Sequence, residues 1–344
     1  MAKKVTIAEV ARGAQVSIAT VSRVFNQQHT GEPEVRERVL RIARELDYQP
    51  NRAARLLARG EGMSMSFVKH SFIPLRTYGG DILRGAEKEA RECGYALYFS
   101  TAYHNLGVLG RGAKPKGISG EAVRGLLYAG EVPADFYQEV KKAGIPLVHI
   151  NSYPPGEAVN CIMCDNFAAS YQAVRWLVEL GHRRIACIAC GYPANISVQE
   201  RVLGYRQALF DADIPFDPAL FQRVDGYMPQ DGYAAMELLL QVSPRPTAVF
   251  GTVDEVAVGA IQCVKAHGLR VPEDLSVIGV NDLDIAQMCD PPLTTVRIFR
   301  EEMGRAAVQR LIEVIQNPGE RPRRIDVLCE LVKRASCTHP PRHP

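Results

Sequence analysis

The chain has 344 residues, and its 41 basic and 38 acidic side chains give a net charge of +3. The first 60 residues carry eleven basic and six acidic side chains, a net charge of +5, so the remaining 284 residues carry −2. No apolar run approaches the ~20 residues that a membrane helix needs, and no secretory segment precedes the basic region, which argues against a membrane protein or an exported one. A basic module on a slightly acidic body is typical of a chain that concentrates its attraction for phosphate groups at one end.

Residues 6–25 predict two short helices separated by a tight turn. Thr6 and Glu9 have the T-x-x-E spacing of a capping box, and Ser17 is placed to cap a second helix over 18–25. Apolar residues at helical spacing pack the two helices together in this prediction: Ile7, Val10, Ala11, Val21, Val24 and Phe25. The packing leaves four residues of the second helix exposed: Ile18, Ala19, Ser22 and Arg23. A helix-turn-helix presents its second helix to the DNA major groove in this way.

A third helix is predicted over 34–46, because Pro33 opens an amphipathic segment with apolar residues at helical spacing. The arginines of this helix fit either a solvated face or contacts with DNA phosphates, and both interpretations stay open: Arg36, Arg38, Arg41 and Arg44. Residues 51–60 have a helix-forming composition, but they are too few for a stable isolated helix in water. That segment therefore needs a partner, either DNA or its own copy in a dimer.

Residues 5–60 resemble the headpiece and hinge of the LacI/GalR family of bacterial repressors. The matching motifs are TIAEVA from Thr6, VSIATVSRVFN from Val16, VRERVLRIARELDYQPN from Val35 and AARLLA from Ala53. The resemblance implies an all-α helix-turn-helix headpiece at residues 1–50, followed by a hinge helix and linker at 51–62. Gln15 departs from the glycine that usually occupies the turn, so we expect a strained turn or a slightly shifted docking angle.

By this resemblance, the base-reading positions of the second helix are Ile18, Ala19, Ser22 and Arg23. Arg23 can donate two hydrogen bonds to a guanine edge, which is the commonest specific contact. Leu57 falls on the hinge leucine that wedges into the minor groove, and packing of hinge against hinge in a dimer is its alternative role. Contacts to phosphates or through the hinge are expected from Thr6, Ser17, Thr20, Asn26, His29, Asn51, Arg52, Arg55 and Leu57.

From residue 63 onward, short apolar runs alternate with amphipathic helices, which predicts parallel sheets with helices on both faces. The predicted strands cover residues 65–68, 96–100, 125–128, 146–150, 184–189, 248–251 and 275–280. The predicted helices cover residues 80–93, 135–143, 167–180, 202–212, 232–241, 256–267 and 299–316. Residues 105–120 are rich in glycine and lysine, and no element is predicted there.

The family resemblance extends over this second region. Its motifs include YGGDILRG from Tyr78, ERVLGYRQAL from Glu200 and VPEDLSVIGVND from Val271. The resemblance implies an effector-binding and dimerisation domain over 63–340, built from two α/β lobes like those of periplasmic sugar-binding proteins. We expect the first lobe at about 63–165 and 296–323, and the second lobe at about 166–293 and 324–340.

The resemblance also implies a set of effector-binding residues: Tyr78, Arg201, Tyr227, Asp254, Asn281 and Asp282. An arginine, an acidic residue and aromatic rings suit a sugar-like or nucleobase-like ligand, because they supply charge-assisted hydrogen bonds and a stacking face. The sequence departs from the family at Val253, where an asparagine often precedes the aspartate, and at Asn281, where an aspartate is usual. These departures predict an effector that differs from the best-known sugars and purines.

Nine cysteines include two C-x-x-C pairs, at residues 161–164 and 187–190. Both pairs lie in apolar, strand-like runs, where residues three apart face opposite sides of a sheet. We therefore expect small core residues rather than a zinc site or a redox dithiol, and we expect no metal and no cofactor. Cysteines without disulfide spacing fit a reducing cytoplasm. The last eight residues are rich in proline and lack a leucine heptad, so we predict a disordered tail and a dimer rather than a tetramer.

Two classes of function fit these features. In the first, the protein is an effector-gated transcription repressor of the bacterial cytoplasm, which binds palindromic double-stranded operator DNA as a homodimer. In the second, the α/β body is an enzyme acting on a sugar or nucleotide, and the headpiece is an accessory. The sequence contains no P-loop, no G-x-G-x-x-G fingerprint and no G-x-S-x-G elbow, so we predict that it is not an enzyme.

Overall fold

The computed structural model describes residues 7–25, 33–46, 64–70, 78–102, 123–193 and 195–341. The N-terminal helices and the α/β body belong to different compact units. Within the described ranges, every helix is too short or too polar to cross a lipid bilayer.

The N-terminal unit contains three helices in its described part. They are α1 (Ile7–Gly13), α2 (Ile18–Phe25) and α3 (Pro33–Glu45). Ser17 caps α2 as predicted, because its Oγ accepts a hydrogen bond from the Thr20 amide at 3.1 Å. All three helices contribute to one small core, whose buried members are Val10, Ala11, Ala14, Val21, Val24, Val39 and Ala43. The core therefore fixes α2 against two other helices.

The turn between α1 and α2 contains the residue that departs from the family pattern. Gln15 has a φ of 52°, which lies in the left-handed region that favours glycine. A side chain with a Cβ atom costs of order 1 kcal/mol there, so the predicted strain is present. Arg38 of α3 stabilises the turn, since its Nε donates to the Ala14 carbonyl oxygen at 3.1 Å.

The first lobe of the body is built on a six-stranded sheet. Its strands are β1 (Ser64–His70), β2 (Ala96–Ala102), β3 (Leu126–Ala129), β4 (Leu147–Ile150), β5 (Asn160–Cys164) and β11 (Arg324–Val327). Its helices are α4 (Gly80–Glu92), α5 (Ala134–Lys142) and α11 (Arg300–Gln316). The strands lie in the order β11-β5-β4-β3-β1-β2, and the pairs from β11 to β1 are parallel.

The second lobe is built on another six-stranded sheet. Its strands are β6 (Ile185–Cys190), β7 (Phe221–Val224), β8 (Ala248–Gly251), β9 (Ser276–Asn281), β10 (Thr294–Ile298) and β12 (Cys329–Val332). Its helices are α6 (Asn166–Glu179), α7 (Ile196–Phe210), α8 (Pro229–Leu240), α9 (Asp254–Ala266) and α10 (Asp284–Met288). The order is β12-β10-β9-β8-β6-β7, and β12 runs antiparallel to β10.

The two sheets have the same strand order, and the chain passes between them three times. The crossings lie between β5 and α6, between β10 and α11, and between β11 and β12. In each sheet the order of the strands reverses beside the first strand of the lobe, β1 or β6. In open α/β sheets, a ligand crevice forms at such a switch point, outside the carboxyl ends of the strands.

The predicted lobe boundaries are wrong at two places. We expected the first lobe to resume at about 296, within β10, but β10 pairs with β9 as far as Arg297 opposite Asn281, so the second lobe extends through β10. We expected residues 324–327 in the second lobe, but β11 pairs in parallel with β5, with Arg324 opposite Cys161. Both errors have one physical reason, because the sheet that a short strand joins depends on partners far away in the chain.

All seven predicted strands and all seven predicted helices of the body are present. Helix α7 begins at Ile196 rather than near 202, because the Asn195 side chain caps it by accepting from the Val198 amide at 3.2 Å. Several short elements were not among those predictions, namely β5, β7, β10, β11, β12 and α10. The segment 105–120 lies outside the described residues.

The prediction of a disordered C-terminal tail is wrong for residues 337–341. The Thr338 carbonyl oxygen lies 2.8 Å from Nε2 of His182, and the Thr338 amide donates to Ser276 Oγ at 3.0 Å. The Nδ1 atom of His339 lies 2.7 Å from the Leu180 carbonyl oxygen. These contacts hold the segment against the second lobe.

Candidate DNA-reading helix and effector cavity

Helix α2 exposes the side chains that the sequence assigns to base reading. Ile18 is 51% exposed, and Ala19 and Arg23 are also exposed, while Val21 and Val24 are buried. Ser17 is exposed, and its Oγ lies 2.9 Å from the hydroxyl of the half-buried Thr20 at the start of the helix. Helix α2 therefore has hydroxyl groups at its start, from Ser17 and Thr20, and an exposed face that carries Ile18, Ala19 and Arg23.

The other predicted DNA contacts fall mostly outside the described residues. Only the backbone of Ser22 is described. Seven predicted residues lie outside the described ranges, namely Thr6, Asn26, His29, Asn51, Arg52, Arg55 and Leu57.

A cavity of about 520 Å³ lies between the two lobes of the body. Its lining follows the carboxyl ends of strands in both sheets, as expected at the switch points. Four of the six predicted effector residues line it: Tyr78, Arg201, Tyr227 and Asn281. The structure thus brings together residues that lie more than two hundred positions apart.

Arg201 of α7 is only 2% exposed, and protein acceptors hold its guanidinium. Its Nε donates to Asn166 Oδ1 at 2.9 Å, and its Nη1 donates to the Thr252 carbonyl oxygen at 2.6 Å. Its Nη2 donates to Asn281 Oδ1 at 3.1 Å. None of these partners is a carboxylate, so hydrogen bonds to neutral groups compensate the buried charge.

The two predicted tyrosines contribute from opposite lobes. The hydroxyl of Tyr78 donates to Asn151 Oδ1 at 3.1 Å, and burial raises the pKa of Tyr78, so its phenol stays protonated. The hydroxyl of Tyr227 accepts from Asn195 Nδ2 at 3.0 Å. Gly191 makes room for this ring, because a Cβ atom at that position would lie 2.1 Å from the Tyr227 hydroxyl oxygen. Both rings are therefore held in fixed positions.

Asn281 lies at the end of β9 with a φ of 124°, a left-handed value that is rare for a residue with a side chain. Its carbonyl oxygen accepts from Nη1 of Arg300, while Nη2 of Arg300 lies 2.6 Å from Asp81 of the first lobe. Its side chain accepts from Arg201. Contacts from both lobes thus maintain the strained backbone at the cavity wall.

Asp254 and Asp282 do not line the cavity. Asp254 is buried and accepts from Thr295 Oγ1 at 2.5 Å and from the Leu283 amide at 2.8 Å. Burial raises the pKa of Asp254 to about 6. Asp282 is held between Arg297 at 2.7 Å and Arg334 at 2.5 Å. These two carboxylates hold the segment that directly follows Asn281.

Glu255 lines the cavity but was not predicted as a site residue. It follows Asp254 in the first turn of α9, and burial raises its pKa to about 7. The only signal for Glu255 in the sequence is that it directly follows Asp254. Successive residues of a helix point about 100° apart, so Glu255 can face the cavity although Asp254 does not.

One hydrogen bond at the cavity also links the two lobes directly. Ser197, the second residue of α7, donates from Oγ to the Asn151 carbonyl oxygen at 3.0 Å. Both residues line the cavity. The link was not predicted from the sequence, because it depends on how the two lobes meet.

The two C-x-x-C pairs lie within β5 and β6, as expected for core residues. The nine cysteines of the chain form no disulfide. Burial raises the pKa of Cys161 and of Cys164 to about 11, so both stay as thiols at neutral pH. Thiols are poor metal ligands and poor nucleophiles compared with thiolates.

A helix-turn-helix unit joined to a two-lobed α/β body with a central cavity defines the class of ligand-responsive DNA-binding proteins. Residues 6–51 match the family model of the bacterial regulatory proteins of the lacI family, and residues 174–337 match that of the periplasmic binding protein-like domain. The HTH-type transcriptional repressor CytR of Escherichia coli (strain K12) is 35% identical over 338 residues, which cover 96% of each chain.

Solved structures agree with this likeness. A transcriptional regulator CelR–cellobiose complex has a TM-score of 0.72 and 32% identity, covering 97% of this chain and 100% of that chain. The lac repressor dimer bound to operator and the anti-inducer ONPF has a TM-score of 0.69 and 26% identity, covering 98% of this chain and 100% of that chain.

The chain belongs to the LacI family of bacterial regulatory proteins. It is a DNA-binding transcription regulator, and its family consists of regulators rather than enzymes.

Proposed function

We propose that this chain is a transcription repressor that binds palindromic operator DNA as a homodimer and responds to a sugar-like or nucleobase-like effector held between its two lobes. The observation that carries the proposal is the cavity of about 520 Å³ at the carboxyl ends of both sheets. CytR, which is named a repressor, and the complex of CelR with cellobiose support it. The lac repressor dimer on its operator supports the dimer. We also propose that the protein acts in the bacterial cytoplasm, where operator DNA lies.

For DNA, we propose that Ile18, Ala19, Ser22 and Arg23 read bases from α2. Ile18 and Ala19 have no donor groups in their side chains, so their role is apolar contact, for example with a thymine methyl group. Arg23 is exposed near the end of α2 and suits a guanine edge. The remaining DNA contacts are proposed for Ser17 and Thr20 at the start of α2, and for the hinge and turn residues predicted from the sequence.

For the effector, we propose that Tyr78, Arg201, Tyr227 and Asn281 bind the ligand directly. Fixed rings and a buried guanidinium suit a ligand with a flat face and several polar groups. Asp254 and Asp282 are proposed to position Asn281 rather than to touch the ligand, since protein donors already use their oxygens. Effector binding and operator binding are then coupled, and the coupling must be reciprocal.

The test of the effector site starts from an operator selected out of random duplexes with the full-length protein. Arg201→Lys keeps the charge but cannot reproduce the forked contacts to Asn166, Thr252 and Asn281. We expect this variant to bind the selected operator like the wild type but to lose the response of operator binding to every effector that acts on the wild type, as measured by fluorescence anisotropy. An unchanged response would remove Arg201 from the effector site.

The test of base reading compares Arg23→Ala with Arg36→Ala, an exposed arginine of α3. We expect Arg23→Ala to weaken binding to the selected operator by ~1–3 kcal/mol and to leave binding to random DNA nearly unchanged. Arg36→Ala should act equally on both kinds of DNA. Equal losses on both duplexes with Arg23→Ala would contradict direct readout by this residue.

A further inference from the structure

The charged groups of the cavity are mostly acidic. Among its described lining residues, the carboxylates are Glu131, Asp225 and Glu255, and the guanidinium of Arg201 is the only cationic side chain. Glu131 and Asp225 are exposed, whereas Glu255 is half-buried. A ligand therefore meets two carboxylates toward solvent and one carboxylate deeper in the cavity.

Arg201 is poorly placed to offset a negatively charged ligand. Its Nε, Nη1 and Nη2 atoms each donate to a protein oxygen. At most two of the five guanidinium donors are left for a ligand. A phosphate or carboxylate is best bound by two parallel N–H donors of an arginine, and most of the Arg201 donors already bind protein oxygens.

The N-terminus of α9, which could otherwise attract an anion, is already occupied by acidic side chains. Asp254 and Glu255 both lie in its first turn. Asp254 turns away from the cavity toward Thr295 and the Leu283 amide. Glu255 lines the cavity, and its own backbone amide donates a hydrogen bond to its carboxylate. An ionised carboxylate can accept about four hydrogen bonds, so a single backbone donor leaves this half-buried group able to accept one from a ligand.

We propose that Glu255 selects the effector by charge: the cavity binds an uncharged or cationic ligand whose amino or hydroxyl group donates to the Glu255 carboxylate, and it rejects ligands that carry a phosphate or carboxylate. The carboxylates of Glu131 and Asp225, together with Glu255 in its ionised form, repel a ligand that carries a negative charge. The inference rests on the proposed function, because it takes the cavity to be the effector site.

The experiment uses matched ligands that share a ring and differ in charge. The pairs are ribose and ribose 5-phosphate, glucosamine and glucosamine 6-phosphate, adenosine and adenosine monophosphate, and cytidine and cytidine monophosphate. Dissociation constants are measured by calorimetric titration for the full-length wild type, for Glu255→Gln and for Glu237→Gln. Glu237 is an exposed residue of α8 in the same lobe and does not line the cavity.

We expect the wild type to bind the unphosphorylated member of at least one pair and to bind its phosphorylated partner more weakly. At pH 8, above the raised pKa of Glu255, Glu255→Gln should weaken binding of the unphosphorylated ligand by about ten- to a hundredfold, because a charged acceptor is replaced by a neutral one. It should also reduce the discrimination against the phosphorylated ligand by about tenfold or more, which a purely structural role would not do. Glu237→Gln should change neither constant.

Two outcomes overturn the inference while the effector site stands. One is tighter binding of a phosphorylated ligand than of its partner by the wild type, and the other is an unchanged ratio within a pair in Glu255→Gln. If the wild type binds no member of any pair, the proposed effector class itself fails and the inference falls with it.

Discussion

The two lobes share one strand order but differ in the size of the buried polar side chains that lack a partner among the described residues. In the second lobe, Arg201, Asp254 and Asp282 each have at least two polar partners. In the first lobe, the His149 ring nitrogens and the Tyr128 hydroxyl are buried without a partner among the described residues. The partnered groups lie in or beside the cavity wall, so their network fixes the geometry of the binding site. Tyr128 and His149 do not line the cavity, so we expect them to affect the stability of the first lobe rather than ligand binding.

The largest expected effect is a pH dependence that originates in the first lobe. His149 lies opposite Tyr128 in the register of β3 and β4, and burial lowers its pKa from 6.5 to about 4. The imidazole of the unfolded chain takes up a proton near pH 6.5, whereas that of the folded chain does so only near pH 4. The free energy of unfolding is therefore at its full value above pH 6.5, and it decreases as the pH falls from 6.5 toward 4. The loss is about 3 kcal/mol for a shift of this size.

Urea unfolding at pH 7 and at pH 4.5 measures this effect. The His149 ring lies 5.8 Å from the Tyr137 ring between centroids, so His149→Phe keeps an aromatic contact, and we expect this variant to lose less stability on acidification than the wild type. His267→Gln is the control, since His267 is an exposed residue of the second lobe. The same acid sensitivity in His149→Phe as in the wild type would mean that the first lobe tolerates the buried imidazole in its charged form.

Close packing between helices, in contrast, is expected to contribute equally to the free energy of unfolding in both lobes. A Cβ atom at Gly259 would lie 1.8 Å from the Pro229 carbonyl oxygen in the second lobe, and one at Gly304 would lie 2.0 Å from the Ile82 carbonyl oxygen in the first. Each alanine substitution forces two helices apart, so we expect each to lower the free energy of unfolding by about 2 kcal/mol.

Gly319→Ala is the control for this pair, because no atom lies within 4 Å of the position that its Cβ would take. We expect this variant to have the unfolding free energy of the wild type within about 0.5 kcal/mol. A loss confined to one of the two tight positions would show that the lobes differ in packing as well as in polar partners.

How much the sequence predicts depends on how local the determining interactions are. The cap at Ser17 and the apolar spacing of α2 involve neighbouring residues, so the bounds of α2 were predicted to the residue. Strands β7 and β11 are short, incompletely buried edge strands, and their pattern carries little signal without the partner strand. The lobe that contains β10 or β11 is decided by pairing with distant strands, which no local pattern encodes.

The same limit applies to the cavity. Tyr78, Arg201, Tyr227 and Asn281 were predicted through motifs, and all four line it. Asp254 was predicted to line it and does not, whereas its neighbour Glu255 does. The difference is one helical step of about 100° at the start of α9, and which face meets the cavity depends on the packing of α9 against α8, β8 and β9. Spacing alone cannot distinguish these two carboxylates.

The smallest expected effect tests the contact that joins the two lobes. Ser197→Ala removes the hydrogen bond from Ser197 Oγ to the Asn151 carbonyl oxygen, which is worth about 1 kcal/mol. Since the bond spans the cavity from one lobe to the other, its loss should weaken effector binding about fivefold and leave the ranking of ligands unchanged.

Ser170→Ala is the matched control for the inter-lobe bond. The Ser170 hydroxyl lies in the same lobe, is equally buried, and has no hydrogen-bond partner among the described residues. Its removal costs no hydrogen bond, so calorimetric titration should give the wild-type dissociation constant. If both variants weaken effector binding equally, the bond between Ser197 and Asn151 contributes nothing of its own to lobe closure. If only Ser197→Ala does so, the hydrogen bond between Ser197 and Asn151 stabilises the closed arrangement of the two lobes around the effector.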